Sequence, residues 1–291
     1  MNKKELLDKY NLVPLSIRKQ QKIEILNTKD AKYVVKKGNH SNIYDYLQVK
    51  NFHNFINPIT DNQDSYEISP YIDDMEVPVE QRIEDLIYLT SILHVKTTFY
   101  KNVDTDDIRK IYEEQVKKQE YLYQYYLSLQ DMIETEVYMS PSHYLLIRNI
   151  SKFYRCIRRS KDYIDKWYDL VKDSKKMRYV MTHGNLDKQH LIENKNIYLV
   201  SWDKARINSP IFDLVTLYHL NQDKIDLVDL LDIYQTKYEL KEDEKYLLFS
   251  FILLPDKIVS KDTEFQNVKE TRKVVDYVDR IEKILLHENN L

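Results

Sequence analysis

The sequence predicts an α+β protein of two lobes, a small mixed lobe over residues 1–78 and a large, mostly helical lobe over residues 79–291. Hydrophobic periodicity changes near Pro78, from short runs typical of strands to a repeat close to 3.6 residues. With 291 residues and 43% hydrophobic content, the chain has about two domains' length and enough apolar residues for a core. No repeat or Gly/Ser-rich linker marks another boundary, so periodicity alone sets the two lobes.

The first lobe is predicted to contain a hairpin, one helix and one further strand. Pro70 ends the last strand, because proline cannot donate a ladder hydrogen bond. These elements are the hairpin strands 22–26 and 32–36 around a turn at 27–30, the helix 41–55 and the strand 66–69.

The second lobe shows amphipathic helical patterns almost throughout. The predicted helices are 80–93, 106–133, one long helix over 142–171, 226–238, 242–254 and 262–288. They are interrupted once, by predicted short strands at 179–181, 191–192 and 197–200 around a turn at 194–196. The longest apolar run, 247–254, is far shorter than the roughly 20 residues that span a bilayer, so it predicts a buried helix.

Composition excludes several kinds of site and partner. Lys+Arg 44 against Asp+Glu 47 gives a net charge of -3, so neither nucleic acid nor an anionic membrane is a predicted partner. The two glycines, Gly38 and Gly184, cannot build a GxGxxG turn or a GxxxxGK[ST] loop. The single Cys156 forms no intrachain disulfide, and residues 1–11 lack the apolar core of a signal peptide. A cytoplasmic location is therefore expected.

The segment 179–220 contains the motifs that carry chemistry. In order, it holds a His-Gly pair, a predicted hairpin, a Trp-Asp-x-Ala sequence and a Phe-Asp-Leu sequence. This order resembles the catalytic loop and metal-binding segment of the aminoglycoside and choline phosphotransferase superfamily, H-G-D-x-x-x-x-N, a hairpin, I-D-W-E-x-A and Y-D-L. The matching residues are His183, Gly184, Trp202, Asp203, Ala205, Phe212, Asp213 and Leu214. The resemblance implies a protein-kinase-like fold, with Lys36 as the phosphate-pairing lysine.

The catalytic positions depart from the family pattern. Asn185 occupies the place of the aspartate that accepts the substrate proton, and an amide cannot take up a proton near neutral pH. His190 occupies the place of an asparagine that holds magnesium, an ion that prefers oxygen ligands. Family spacing counted from Asp213 puts the metal-chelating aspartate at Ser201. The resemblance therefore implies a pseudokinase-like chain, for which no metal or cofactor is expected.

Alternatives that keep the chemistry remain open. Sliding the alignment by two residues makes Asp203 the metal ligand; with His190 it would serve an active small-molecule phosphotransferase that uses ATP and magnesium. Asp187 is a second possible base. An ATP-binding regulator without transfer rests on Lys36 alone, because the following helix offers only Asp45 as a partner for it.

The resemblance also implies two structural roles. Asp213 would brace the catalytic loop by hydrogen bonds, and His183 would orient it. The nucleotide-covering turn, expected between the first two predicted strands at 27–30, lacks glycine. Only Asn27 and Asp30 there tolerate a positive φ, so tight ATP binding is not expected.

Within the superfamily, the resemblance is closest to the spore coat-associated kinase-like proteins of endospore-forming Firmicutes. It rests on the segments HGNLDKQHLI, SWDKARINSPIFDLVTLY and LLPDKI. Some members of that branch have an H-G-x-x-x-x-x-H-x-L loop, which this sequence roughly follows. The resemblance implies a scaffold held in or near the spore coat by contacts with other proteins, with no prediction for the oligomeric state.

Basic residues concentrate on the predicted long helix. Arg148, Arg155 and Arg159 are spaced seven and four apart, which predicts a shared face. Such a face could bind an acidic partner or simply be solvated. The full set is Arg148, Arg155, Arg158, Arg159 and Lys161.

Overall fold

The structure is a computed structural model that describes residues 3–20, 23–61 and 63–286. The chain forms two compact units, one of Met1–Thr98 with Val180–Asn208 and one of Phe99–Tyr179 with Ser209–Leu291. A small antiparallel sheet near the N-terminus and a mostly helical remainder confirm the predicted α+β class. The lobe boundary at residue 78 stays a prediction.

The helices and strands follow one another in chain order. They are α1 (Lys3–Lys9), β1 (Ser16–Gln20), β2 (Ile23–Asn27), β3 (Lys32–Lys37), α2 (Ser41–Val49), β4 (Tyr66–Pro70), α3 (Val79–Thr97), β5 (Phe99–Asn102), α4 (Thr105–Glu134), α5 (Pro141–Ile147), α6 (Ile150–Val171), β6 (Lys176–Thr182), β7 (Leu191–Glu193), β8 (Ile197–Leu199), β9 (Arg206–Asn208), α7 (Ile211–Asn221), α8 (Leu227–Gln235), α9 (Glu242–Ile252) and α10 (Glu264–Leu286).

The first unit contains a four-stranded antiparallel sheet in the order β1-β2-β3-β4. The predicted hairpin is formed by β2 and β3, although Lys22, its predicted first residue, lies outside the described residues. Strand β1 was not predicted, because all five of its residues are exposed and no apolar alternation marks it. The turn at 27–30 therefore joins the second and third strands, so its assignment as the turn between the first two was wrong.

The core of this sheet is built against the N-terminal helix. Leu6 and Leu7 of α1 pack with Leu26, Val35 and Ile68 of the sheet. Burying a leucine side chain contributes about 1.5–3 kcal/mol, which gives this short helix its stability. The hairpin of β7 and β8 lies in the same unit, and its turn falls at 194–196 as predicted.

The second unit is helical, and it corrects the prediction of one long helix over 142–171. The chain instead forms α5 and α6, with a break at Arg148 and Asn149. Asn149 is the N-terminal cap of α6, with φ -113 and ψ -2, and its side-chain amide donates to the carbonyl oxygen of Leu145 at 2.9 Å. Arg148 therefore follows α5, so its predicted place on one helix face with Arg155 and Arg159 was wrong.

Helix α6 is the centre of this unit and packs against α4 and α9. The carbonyl oxygen of Ser250 accepts hydrogen bonds from Gln115 at 2.7 Å and from Ser160 at 2.5 Å, all of them buried. This network joins polar groups of the three helices. The apolar run at 247–254 is buried as predicted. No helix within the described ranges is long and apolar enough to cross a membrane.

Two further differences have local causes. Helix α2 ends at Val49 rather than at residue 55, because Asn51 adopts a left-handed conformation with φ 56. Helix α7 was not predicted, because apolar residues occur on all of its sides and hide the three- to four-residue spacing of its buried positions.

Candidate functional site

A pocket of about 160 Å³ lies in the first unit, beside the four-stranded sheet and the β7–β8 hairpin. Most of its lining is apolar, since Val34, Ile72, Ile192 and Leu199 contribute to it. Lys36, Glu67 and Ser201 bring polar groups to the same pocket. An apolar cavity of about 150 Å³ can hold benzene, so this pocket has room for one small aromatic ring.

The hairpin beside the pocket is fastened by backbone and arginine contacts. The backbone N–H of Met75 donates to the carbonyl oxygen of Glu193 at 2.8 Å. Arg82 of α3 donates to Asp74 at 2.8 Å and to the carbonyl oxygen of Leu191 at 3.1 Å. These bonds fix β7 to α3 and to the segment after the sheet, which defines one wall of the pocket.

His183 links the two halves of the predicted catalytic segment. Its side chain is fully buried, and its Nε2 donates to the carbonyl oxygen of Val200 at 2.9 Å. Its ring packs edge-on against Trp202, with ring centroids 4.7 Å apart. The indole of Trp202 in turn donates to the carbonyl oxygen of Leu199 at 3.0 Å. This geometry suits the loop-positioning role that the resemblance implies.

Gly184 brings the loop into backbone contact with the 3-10 helix Trp202–Lys204. It has φ +70, and a Cβ built on it would lie 2.4 Å from the carbonyl oxygen of Lys204. Real Cβ atoms do not approach a backbone oxygen so closely, so only glycine fits here. The segment around residue 203 is thereby held against the loop.

Asn185 and His190 interact with each other through the backbone. Nδ1 of His190 donates to the carbonyl oxygen of Asn185 at 2.7 Å, because a carbonyl oxygen only accepts. The side-chain oxygen of Asn185 accepts from Nζ of Lys204 at 3.4 Å. The predicted base position is therefore an amide that faces a lysine.

Ser201 has an unusual backbone. Its φ of 69 and ψ of 54 lie in the left-handed region. The other described non-glycine residues with positive φ are Asn11 and Asn51, a residue type that tolerates it better. The conformation costs about 1 kcal/mol or more, so surrounding contacts must hold it. The chain turns there such that Trp202 is buried and Asp203 reaches Lys36.

Lys36 and Asp203 form an ion pair at 2.6 Å. The two side chains are 21% and 34% exposed, so water only partly screens the pair. Burial opposes ionisation of Asp203, but the hydrogen bond and charge of Lys36 outweigh it, and the pKa of Asp203 lies below its usual value. The carboxylate that pairs with Lys36 therefore lies 167 residues away in the sequence, not on the helix that follows β3.

A second polar group at the pocket, centred on Glu67, was not predicted. Glu67 lies opposite Lys36 in the register of β3 and β4. Its carboxylate accepts from the hydroxyl of Tyr44 at 2.6 Å and lies 3.2 Å from Nδ1 of His40. Burial, reinforced by the charge of Glu67, raises the pKa of Tyr44 far above its usual range. The phenol therefore stays protonated and donates to Glu67.

The remaining predicted residues, Asp187 and Asp213, lie in local structures of their own. The side chain of Asp187 accepts from the backbone N–H of Gln189 at 2.9 Å, so it caps a 3-10 helix. Asp213 is fully buried in the first turn of α7, in the second unit. Its bracing of the catalytic loop stays a prediction.

The donor set around residue 203 does not fit magnesium. Magnesium prefers carboxylate and water oxygens in octahedral geometry. Here an amide, an imidazole and a hydroxyl occupy positions 185, 190 and 201, and Asp203 is already paired with Lys36. Within the described ranges, no group of three or more His, Cys, Asp or Glu residues is arranged to hold a metal ion.

The ion pair predicts a pH dependence of stability. A carboxyl group whose pKa is lowered by folding stabilises the protein above its unfolded-state pKa, and this contribution is lost as the pH falls through the folded-state pKa. Asp203→Asn should therefore lower the free energy of unfolding by up to about 1 kcal/mol at pH 7, the usual limit for a partly exposed pair. Urea titrations of both proteins should show this gap closing below the usual pKa of 3.8. A gap that persists in acid would contradict the assignment.

The fold matches that of known phosphotransferases. An aminoglycoside phosphotransferase from Alicyclobacillus acidocaldarius superposes with a TM-score of 0.73 at 11% identity, over 100% of this chain and 97% of that one. A spectinomycin phosphotransferase bound to AMP gives 0.52 at 13% identity, over 97% and 94%. A choline kinase from Streptococcus pneumoniae gives 0.50 at 13% identity, over 99% of each chain.

The likeness to these phosphotransferases is structural and has no counterpart in sequence comparison. No protein-family model matches the chain, and no curated protein matches it in sequence. At identities of 11–13% the superpositions show architecture rather than activity. The chain therefore has the protein-kinase-like fold of the aminoglycoside and choline phosphotransferases.

Proposed function

We propose that this chain is a catalytically degenerate kinase-like protein that acts through contacts with other proteins. The observation that carries the proposal is the Lys36–Asp203 ion pair at 2.6 Å. One contact engages both the lysine that would hold phosphate and the carboxylate that would hold magnesium. Nucleotide and metal would each have to break this pair before binding.

The lack of a base supports the same proposal. Asn185 cannot accept a proton, and the carboxylate of Asp187 is engaged as a helix cap. General-base catalysis typically contributes about 10²–10⁴ in rate, and oxyanion-type electrostatic stabilisation a similar factor. A chain without both contributions retains a scaffold but little transfer activity.

The spore coat is the proposed location, reached from the cytoplasm. This part of the proposal rests on the sequence resemblance in the segments 183–192, 201–218 and 253–258. The proposed partners are coat proteins, with no role for nucleic acid or membrane. A source organism that forms no spores would remove the coat from the proposal and leave the inert scaffold in place.

The transfer reaction itself tests the proposal. Purified chain incubated with magnesium and γ-labelled ATP should transfer no label to choline, spectinomycin or other aminoglycosides, and should not release phosphate above background. The physical reason is that Asn185 cannot accept a proton and that Asp203 is paired with Lys36. Label transfer that is lost in Asp203→Asn would instead establish the active phosphotransferase that uses Asp203 and His190.

A regulator that binds nucleotide without transferring phosphate is the second candidate. The pocket favours it, because an apolar space of aromatic-ring size lies directly beside Lys36. Such a regulator would bind ATP with or without magnesium and lose this binding in Lys36→Ala. Equal, weak binding by both proteins would leave the protein-contact scaffold as the better account.

A further inference from the structure

The second unit carries an open groove of about 630 Å³ between α5 and α10. Leu145, Val268 and Val275 supply apolar lining. Three cationic side chains and one carboxylate supply the charges, namely Arg148, Lys152, Arg272 and Asp279. The groove therefore combines a hydrophobic base with a positive rim.

The positive charge of the groove is only partly compensated. Lys152 pairs with Asp279 at 2.6 Å. Arg272 is 63% exposed, with Asp276 at 3.8 Å, a geometry that contributes little. Arg148 stacks on the ring of Tyr144, 5.6 Å from its centroid, and pairs with no carboxylate of the described residues. Cation–π stacking orients the guanidinium without neutralising it.

The same positive character continues along α6. A neighbouring depression of about 570 Å³ is lined by Arg155, Arg158 and Arg159 together with Glu282. Arg155 bonds to Glu282 at 2.7 Å, and Arg159 lies 3.8 Å from Asp162. Six cationic and two acidic residues line the two depressions, and Asp162 and Asp276 each lie 3.8 Å from one of these cations, so cations outnumber carboxylates here in a chain whose net charge is -3. Positive charge is thus concentrated here against the overall sign.

Exposed apolar side chains precede α5 and begin α10, the two helices that line the groove. Val137, Tyr138 and Phe265 are 88%, 90% and 80% exposed. Their two segments meet where the backbone N–H of Ser142 donates to Glu264 at 2.7 Å. This bond lowers the pKa of Glu264, so that carboxylate is ionised but already engaged. Adjacent exposed apolar groups of this size mark partner-binding surfaces.

We propose that this groove docks an acidic protein segment that carries an aromatic or large aliphatic side chain. Glutamate or aspartate side chains would pair with Arg148 and Arg272, and the apolar side chain would pack at Tyr138 and Phe265. Arginine and aromatic residues together are the usual composition of binding hot spots. The cations line a concave groove, which suits an extended segment better than a flat lipid surface. This inference rests on the proposed function, since it specifies the surface for its protein contacts.

Fluorescence anisotropy with a labelled glutamate-rich peptide that has a central Phe-Leu pair tests the proposal. We expect saturable binding that weakens with added salt, and that weakens at least tenfold in the double variant Arg148→Glu/Arg272→Glu. The matched control, Lys110→Glu/Lys117→Glu, changes charge equally on exposed positions of α4 and should bind as the native chain does. Phe265→Ser should weaken binding of this peptide but not of one with Ser-Ser at its centre.

Several results would overturn the proposal. These are no binding, equal loss in the two double variants, preferential binding to vesicles with anionic lipids, or self-association that the groove variant abolishes. Circular dichroism of each variant checks that it is folded. The ATP transfer assay on the same proteins reports separately on the proposed function, because the groove variants leave Lys36 and Asp203 intact. A failed peptide test therefore does not by itself count against the inert scaffold.

Discussion

Gly184→Ala is expected to destabilise the chain by about 3 kcal/mol or more, the sum of a positive-φ penalty and a forced backbone shift. The added Cβ would lie 2.4 Å from the carbonyl oxygen of Lys204 and 3.1 Å from its carbonyl carbon. Neither atom can yield in the way that the end of a flexible side chain can. The loop would separate from the segment that carries Asp203, and the Lys36–Asp203 pair would weaken with it. Urea unfolding followed by circular dichroism measures the loss.

Gly38→Ala is the matched control, because Gly38 also has a positive φ, +109. A Cβ there meets only the side chain of His40, at 3.4 Å, which is an ordinary contact. The control should therefore cost only the conformational strain, roughly 1–2 kcal/mol. Equal losses in the two variants would show that backbone contact at Gly184 does not hold the loop.

Asp203→Asn is expected to tighten ATP binding at least tenfold in the absence of magnesium, a gain of about 1.4 kcal/mol. The substitution removes the carboxylate that engages Lys36 and that would repel phosphate. The released ammonium group can then bond to a phosphate oxygen, and charged hydrogen bonds contribute about 1.5–3 kcal/mol. Isothermal titration calorimetry with ATP and EDTA measures the change.

The control for this experiment is Asp73→Asn. Asp73 lies in the same unit, its side chain is 80% exposed, and its Oδ1 is 4.0 Å from Nζ of Lys32. The Asp73→Asn substitution therefore removes one negative charge without releasing Lys36. It should leave ATP affinity unchanged within about twofold, as expected for a screened surface charge. The same titrations repeated with magnesium give the contrary outcome: an active phosphotransferase predicts weaker ATP binding by Asp203→Asn there, because the variant would lose a metal ligand, whereas the inert scaffold predicts tighter binding with or without magnesium.

Much of the fold was predictable where periodicity is strong. Helices α3, α4 and α9 lie within a few residues of their predicted limits, since α3 and α4 follow long helical repeats and α9 contains a continuous apolar run. Strand β1 gave no such pattern, since it is exposed throughout. The break between α5 and α6 lies at Asn149, whose side chain bonds to the backbone of Leu145. The spacing of apolar residues continues across this position and so gives no sign of the break.

The contacts of the candidate site were not predictable from the sequence. The family resemblance identified Asn185, His190 and Ser201 as altered positions, and their roles stay a prediction. The pairing of Lys36 with Asp203 depends on a left-handed turn at Ser201, and no local pattern predicts that turn for a serine. The Glu67 group likewise depends on the register of β3 and β4, which brings residues from distant parts of the chain together.

Magnesium dependence of nucleotide binding in the native chain tests the central claim most directly. The claim is that the carboxylates needed to hold a metal are missing or already paired. Thermal unfolding measured with ATP should give the same midpoint temperature in magnesium and in EDTA. Binding stabilises the folded protein by RT ln(1 + [L]/Kd), and we expect magnesium to leave the Kd for ATP unchanged. A midpoint that rises only when both ATP and magnesium are present, and that falls back in Asp203→Asn, would contradict the account.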